Sequence, residues 1–241
     1  MLLMLIEAVA RAEEAGSGFT LREIWEHSGP IARVVIFMLI GMLLATIFVG
    51  IERLIAFNRA RNQSVRLAGD IVGHLQSGDV SGALQLTRDE QFKSSYLAAL
   101  LRAGLAELDE RLDAVGIQNA HRAVTKAIGE EISKMKRGMT ILATVGSTAP
   151  FVGLFGTTFG VINAFQGMAT AGSGLASISA GISEALITTG VGIGVAVWGV
   201  WMFNYFNARA DKVGDELASS EADFMAWAEK QVQEPLQAAG K

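Results

Sequence analysis

Two stretches of the chain are almost free of charged side chains. Residues 34–51 contain no acidic or basic side chain, and over residues 138–208 the only one is Glu184. A helix that crosses the hydrocarbon core of a bilayer needs about 20 apolar residues, so the first stretch accommodates one span and the second accommodates two. The pattern therefore predicts three transmembrane helices, over 31–57, 139–167 and 183–206, with the last two joined by a turn in the Gly-, Ser- and Ala-rich segment 168–182.

The segments between and beyond the spans are more polar but keep helical spacing. After the first span, apolar residues recur three and four positions apart, with interruptions at 78–79 and 115–116. This pattern predicts a helical domain over 58–138. Within 126–139 there is no Pro and no pair of adjacent Gly residues, so the last helix of this domain is expected to run into the second span without a break.

Both ends of the chain are predicted to be amphipathic. The first residues lack a basic start, and Glu7 interrupts their apolar run. Segment 1–30 is therefore expected to lie at the outer membrane interface, because a signal peptide would have a basic start and a longer apolar run. In the tail, Val213 and Leu217 belong to a series of apolar residues with helical spacing, which predicts an amphipathic helix over 207–241.

Basic residues cluster next to the spans on one side only. They follow the first span, precede the second and follow the third, whereas the turn between the second and third spans carries no charge. Because Lys and Arg are enriched in cytoplasmic loops, the N-terminus is predicted to lie outside, with 58–138 and the tail in the cytoplasm. The bases behind this prediction are Arg53, Arg59, Arg61, Arg66, Arg122, Lys126, Lys134, Lys136, Arg137, Arg209 and Lys212. The predicted fold class is all-α: a polytopic membrane protein whose three transmembrane helices extend into a cytoplasmic helical bundle.

Composition narrows the function classes. Hydrophobic residues make up 51% of the 241 residues and charged residues 18%, which excludes a disordered chain, and the net charge of −4 leaves no basic footprint for DNA or RNA. The absence of cysteine excludes thiol catalysis, disulfides and thiolate metal sites. His27, His74 and His121 are scattered, and no Ser/His/Asp grouping is visible. Neither a metal site nor a cofactor is expected, and the chain is not expected to be an enzyme.

Glycines follow a regular pattern along the second span. Four of them recur every seven residues, which places them on one stripe of the helix, and one of the four also closes a GxxxG pair. Small residues on such a stripe let a neighbouring backbone approach closely, either within the chain or between copies. We expect the stripe to hold copies of the chain together as a homo-oligomer. These helix-packing positions are Gly146, Gly153, Gly156, Gly160 and Gly167.

Polar side chains inside the spans are the candidate functional residues. A carboxylate such as Glu184 inside a span costs about 2.5–3.5 kcal/mol on insertion scales, so it is expected to face a cavity, a cation or a partner, or to be protonated. A threonine in a helix can donate its hydroxyl to the carbonyl one turn back, which is a purely structural use. At about 100° per residue, Glu184 shares a helix face with Thr188 but not with Thr189. Glu184 is therefore predicted to lie at a wall between helices.

Two runs of sequence resemble a known family. Residues 142–144 (LAT) and 147–157 (STAPFVGLFGT) resemble the second-helix sequence of the MotA/TolQ/ExbB proton-channel family, and residues 181–190 (GISEALITTG) resemble its third-helix motif. Three spans with an outer N-terminus are similar to the ExbB/TolQ branch. Two features depart from the family pattern: Thr-Phe at 158–159 stands where many members have Val-Trp, and 194–198 lacks a proline common in the third helix.

The resemblance implies a function and an assembly. It implies a pentameric ring in the bacterial inner membrane, surrounding a dimer of a single-span ExbD/TolR-like partner, in which proton flow drives mechanical work on the cell envelope. It assigns Thr157 and Thr189 to the pore lining and Glu184, with Thr188 beside it, to the ion pathway. The work done would be TonB-like transport, Tol-Pal-like envelope maintenance or gliding motility, through a TonB/TolA-like or motility effector and in contact with membrane lipids. The alternative is a non-conducting scaffold that assembles a single-span partner.

Overall fold

The computed structural model describes residues 29–171 and 174–239, and these are helical almost throughout, with no strand among them. The expected amphipathic segment 1–30 lies outside the described residues except for Gly29 and Pro30. The helices are α1 (Pro30–Gln76), α2 (Val80–Thr87), α3 (Tyr96–Glu110), α4 (Ala114–Lys136), α5 (Met139–Ala171) and α6 (Gly174–Ala239), with a short 3-10 turn at Glu90–Phe92.

Two of the helices are far longer than a membrane is thick. α1 contains 47 residues and α6 contains 66, whereas about 20 residues cross the hydrocarbon core. Neither contains a proline after its first residue until Pro235 near the end of α6, so nothing in the sequence stops the helix where the apolar residues end. The expectation that the first span continues into the polar domain is confirmed, and the third span and the tail form one uninterrupted helix.

The junction before the second span corrects one prediction. α4 ends at Lys136 and α5 begins at Met139, so the helix is broken where an unbroken run was expected. The break lies at Gly138, whose φ is +79°. This left-handed conformation is accessible to glycine without a steric penalty and commonly ends a helix. A single glycine is therefore enough to break the helix between α4 and α5. The absence of a proline or a glycine pair did not indicate a continuous helix.

The turn between the second and third spans is also narrower than predicted. We expected it over 168–182, but α5 continues to Ala171 and α6 begins at Gly174. Alanine has the highest helix propensity, and glycine and serine are tolerated in membrane helices. Their abundance in this segment was therefore a poor indicator of a turn.

Three helices contain stretches that are long and apolar enough to cross a membrane, namely α1, α5 and α6. Residues 30–44 of α1 and residues 145–198 of α5 and α6 form one compact unit. Its core contains Val35, Leu39, Val145, Ala149, Val195 and Ala196. Many large apolar side chains of the unit point outward, for example Phe151, which is 71% exposed. An all-α polytopic membrane protein is the fold that these observations describe.

The second compact unit comprises residues 45–144 and 199–239 of the described chain. α3 and α6 pack closely at Gly104, which contacts the ring of Phe224. The rings of Phe57 and Phe206 stack with their centroids 5.9 Å apart, joining α1 to α6. Short polar residues cap the helices of this unit, as Ser95 does by accepting a hydrogen bond from Ala98 N at 3.0 Å. The predicted helical domain is therefore built around a conventional apolar core.

Arg53 joins α1 to the end of α4 within this second unit. Its side chain is buried, and Nη1 donates to the carbonyl oxygens of Lys134 at 3.1 Å and Met135 at 3.4 Å. The guanidinium also binds the carboxylate of the neighbouring Glu52, with Nε 2.8 Å from Oε2. A cation at a helix C-terminus satisfies carbonyls that have no partner within the helix. Arg53 therefore stabilises the end of α4 immediately before the Gly138 break.

Replacing Arg53 with methionine is expected to lower the thermal unfolding midpoint of the purified protein. The change keeps an apolar stem but leaves the carbonyls of Lys134 and Met135 without this donor, and losing buried hydrogen bonds to a charged group costs about 1.5–3 kcal/mol. Arg66→Met, at an exposed position on the same helix, is the control and should leave the midpoint nearly unchanged. Tryptophan fluorescence on heating in detergent measures both variants, and equal midpoints would show that Arg53 does not stabilise the junction.

Candidate ion-conducting site

The second and third spans approach each other at the glycine stripe. A methyl group added at Gly153 of α5 would lie 2.9 Å from the carbonyl oxygen of Thr188 and 3.0 Å from the Cα atom of Thr189, both on α6. At Gly160, it would lie 2.8 Å from Cβ of Ala185. Distances this short leave no room for a side chain. The two backbones are therefore in direct contact along this stripe.

Gly153, Gly156 and Gly160 of the stripe pack against α6 of the same chain, and the expectation that the stripe holds copies together stays a prediction. Gly156 also faces α6, since a methyl group there would lie 2.7 Å from Oγ1 of Thr188, and Gly146 is buried. Gly167 differs from Gly153, Gly156 and Gly160 because a methyl group there would meet nothing within 4 Å. Sequence periodicity identified the stripe, but periodicity alone does not tell which helix covers it.

A second series of small residues, on the third span, packs against α5. Gly192 faces the α5 backbone, where an added methyl group would lie 2.8 Å from the carbonyl oxygen of Ala149, and one at Gly181 would lie 2.6 Å from Cβ of Ala164. Together with Ala185 and Thr188, these residues follow a spacing of 4, 3 and 4, which places them on one face of α6. Gly181 was overlooked because it was assigned to the turn.

The two candidate pore threonines lie at consecutive carbonyls of α5. Oγ1 of Thr157 donates to the carbonyl oxygen of Leu154 at 2.7 Å, within its own helix. Oγ1 of Thr189 donates across the helix pair to the carbonyl oxygen of Gly153 at 3.1 Å. Both side chains are partly exposed. The fold thus brings Thr157 and Thr189, which are 32 positions apart in sequence, to one turn of α5. Each hydroxyl oxygen keeps lone pairs that can accept a further hydrogen bond.

Thr188 has a different environment from its neighbour. Its side chain is 1% exposed, and its hydroxyl donates to the carbonyl oxygen of Ala185 at 2.7 Å. Gly156 of α5 packs directly against it. Thr188 is therefore an internal residue whose hydroxyl is satisfied within its own helix, which is the structural use that a membrane threonine commonly has.

Glu184 has one carboxylate oxygen that is buried and unpartnered. Within the part of the chain that the structure describes, Oε1 has no hydrogen-bond partner and almost no accessible surface, although the residue as a whole is partly exposed. A buried oxygen of an ionised carboxylate is unfavourable without a donor. Thr157 and Thr189 bond to neighbouring carbonyls of α5, whereas no hydrogen bond among the described residues joins Glu184 to either threonine.

The part of the chain that contains the candidate site is similar to known proteins. A sequence model of the MotA/TolQ/ExbB proton channel family matches residues 93–219. The chain is similar to the Tol-Pal system protein TolQ of Pseudomonas aeruginosa, 36% identical over 145 residues, and to the biopolymer transport proteins ExbB of Xanthomonas campestris pv. campestris, 42% identical over 109, and of Pseudomonas putida, 34% identical over 144. These alignments cover 57%, 44% and 58% of this chain and 63%, 43% and 44% of the relatives.

The matched segments thus span less than two thirds of each of these relatives. The family match covers all of α5 and the part of α6 up to residue 219, so it includes both helix segments that carry the candidate site. The resemblance to the ExbB/TolQ branch, first identified from the motifs of the second and third spans, is confirmed. Since the family model matches more than half of the chain, the protein belongs to the MotA/TolQ/ExbB proton channel family.

Proposed function

We propose that the protein is a proton-conducting subunit of an inner-membrane motor that couples the proton motive force to work on the cell envelope. The observation that carries this proposal is the position of the Thr157 and Thr189 hydroxyls at consecutive carbonyls of α5, within the segment that matches the family. Two partly exposed hydroxyls bonded to one turn of α5 form a polar patch on the largely apolar second and third spans. Such a patch suits a proton carrier that passes along it.

The carrier is supplied by a partner in this proposal. A single-span protein of the ExbD/TolR type would bring a carboxylate to the patch, where it takes a proton from one side of the membrane and releases it to the other. As placed here, each threonine hydroxyl can accept a hydrogen bond from the protonated carboxyl group, and by rotating away from its backbone carbonyl it can donate its one proton to the ionised carboxylate. The neutral hydroxyls therefore stabilise both states without holding the charge in place, as a fixed cation would.

Glu184 serves a separate purpose in the same proposal. Its unpartnered Oε1 requires a proton, a water molecule or a donor from another chain. We infer that it acts at the wall between helices, as a relay or as a polar contact with a neighbouring subunit, while Thr188 beside it has an internal packing role. This division follows because the Thr188 hydroxyl is buried and already bonded to the Ala185 carbonyl, whereas Oε1 of Glu184 has no partner among the described residues.

The assembly in this proposal is a pentameric ring around a dimer of the partner. Because α6 covers the glycine stripe, contacts between copies would be formed by outward-facing residues of the spans. These include Gly190 and Gly194, at which an added methyl group meets nothing within 4 Å. The envelope process would be TonB-like transport, Tol-Pal-like maintenance or gliding, with the corresponding effector.

A passive scaffold is the competing function. It is favoured by the interior of the three-span unit, where Thr188 is fully buried and the helices are in backbone contact, so a single copy offers no obvious route for ions. The two functions differ in proton flux. Proteoliposomes that contain the chain and its partner should conduct protons if the proposal is right and should not if the chain is a scaffold.

The orientation of the chain is part of the proposal and can be tested by cysteine labelling. The sequence contains no cysteine, so each introduced one is unique. Ser173→Cys, in the expected outer turn, should react with a membrane-impermeant maleimide in intact spheroplasts. Ser219→Cys, exposed on the distal half of α6, should react only after the membrane is opened. The reverse pattern would show that the positive-inside interpretation is wrong.

A further inference from the structure

A cavity of about 460 Å³ lies in the second unit where α1 changes from apolar to basic sequence. It is formed by α1 residues 52–60, by Lys93 and Ser94, and by the last turns of α4. Four basic and two acidic side chains line it: Arg53, Arg59, Lys93, Lys134, Glu52 and Glu131. The mechanism proposed above makes no use of this cavity.

The two acids in the cavity are already paired. Glu52 accepts a hydrogen bond from Nε of Arg53 at 2.8 Å, and Glu131 accepts one from Nζ of Lys134 at 2.6 Å. This leaves Arg59, which has no hydrogen bond or ion pair within the described residues, and Lys93. Among the described residues, the Lys93 ammonium pairs only with the exposed Glu90 carboxylate at 3.3 Å, a surface pair that contributes little and is easily exchanged. The cavity therefore presents two positive groups in need of an anion.

The face of α1 above the cavity is apolar. Phe48, Ile51 and Ile55 lie on it at helical spacing and are 73%, 56% and 62% exposed. Ile55 also lines the cavity, and Arg59 follows it one turn later. One continuous face thus changes from exposed apolar to exposed basic side chains at the rim of the cavity. This sequence of side chains matches the change from acyl chains to headgroups in a bilayer.

Exposed side chains of α6 also indicate a membrane surface at the depth of the cavity. Trp201 and Tyr205 are exposed, and the Arg209 guanidinium lies 5.0 Å from the centre of the Tyr205 ring. Nη1 of Arg209 donates to Oδ1 of Asn58 on α1 at 3.3 Å, so this aromatic and basic band is level with the cavity. Exposed aromatic residues followed by Arg mark the interface between hydrocarbon and water.

We propose that this cavity binds the headgroup of an anionic phospholipid. The phosphate binds Arg59 and Lys93, and the acyl chains follow the exposed face of Phe48, Ile51 and Ile55. A free phosphate or a soluble phosphate ester would use the same two bases but would leave the apolar face uncovered. This site goes beyond the proposed function, because it requires no ion conduction and no partner.

The test compares lipids retained by the purified full-length protein, measured by native mass spectrometry after equilibration with phosphatidylglycerol or phosphatidylcholine. The unmodified protein should retain phosphatidylglycerol about tenfold more than phosphatidylcholine, and Arg59→Gln with Lys93→Gln should reduce that retention at least fivefold. Lys126→Gln with Lys212→Gln removes two exposed charges elsewhere in the same unit and is the matched control, with retention within twofold of the unmodified protein.

Three results would overturn the proposal. These are equal retention of the two lipids by the unmodified protein, equal loss in the test and control variants, and displacement of the lipid by millimolar glycerol phosphate, which would identify a soluble phosphate site. The first and third need no variant, so they decide the matter even if the double variant does not accumulate. Since lipid retention is measured without proton flux, failure here leaves the proposed function standing.

Discussion

Replacing Gly153 with leucine is expected to prevent the second and third spans from packing, so that little folded protein is recovered from membranes. A Cβ atom at this position would already lie 2.9 Å from the Thr188 carbonyl oxygen and 3.0 Å from the Thr189 Cα atom, and a leucine adds three more carbons. Overpacking in a close-packed interior costs about 1–3 kcal/mol. Here the neighbours are backbone atoms, which cannot rotate aside, so the cost should lie at the upper end.

Gly167→Leu is the matched control for this experiment. Gly167 belongs to the same seven-residue series, but an added methyl group meets nothing within 4 Å, so the protein should accumulate and unfold at nearly the unmodified temperature. Gly153→Ala, with one carbon, should lower the unfolding midpoint without preventing accumulation. Size-exclusion chromatography and thermal unfolding in detergent measure both effects. Stable but dissociated Gly153→Leu copies would show instead that the stripe holds neighbouring subunits together.

Replacing Thr157 with valine is expected to reduce proton flux through the assembled complex at least tenfold while leaving assembly intact. Valine has nearly the shape of threonine but no hydroxyl, so the helix loses one side-chain bond to the Leu154 carbonyl and the polar patch loses one of its two groups. A membrane side-chain hydrogen bond of this kind contributes only about 0.6 kcal/mol to stability on average. The effect on stability should therefore be small and the effect on flux large.

Thr158→Val provides a control of the same chemistry. Thr158 is exposed, its hydroxyl donates to the same Leu154 carbonyl at 3.0 Å, and valine is the residue that many members of the family carry there. This variant should conduct like the unmodified protein. Equal flux in Thr157→Val and the unmodified complex would remove the Thr157 hydroxyl from the mechanism, whereas equal loss in both variants would point to a general effect on α5.

Sequence patterns predicted the secondary structure of this protein well because long apolar stretches and helical spacing leave few alternatives. They failed at single residues whose conformation decides the outcome. Gly138 breaks the chain between α4 and α5 through a φ of +79°, and nothing in the composition distinguishes it from Gly129, which lies within α4. The turn was placed too broadly because small residues serve both as turn formers and as close-packing residues in membrane helices.

The sequence was sufficient to choose the residues of the candidate site, but it predicted their arrangement only in part. Helical angles separate the face of Glu184 and Thr188 from that of Thr189, and the structure does give the two threonines different environments, one fully buried and one bonded to Gly153 of the facing helix. The bond between Thr189 and Gly153 depends on the register between α5 and α6. That register follows from the facing small residues of both helices and cannot be obtained from either helix alone.

The most direct test of the proposed function is proton uptake into liposomes that carry a potassium-diffusion potential, followed with a pH-sensitive dye. Liposomes with the chain and its ExbD/TolR-like partner should take up protons well above the level of empty liposomes, and liposomes with either protein alone should not. Thr157→Val and Thr158→Val in the complex give the internal comparison. Full flux from the chain alone would contradict the need for a partner, and no flux from the intact complex would identify the protein as a scaffold.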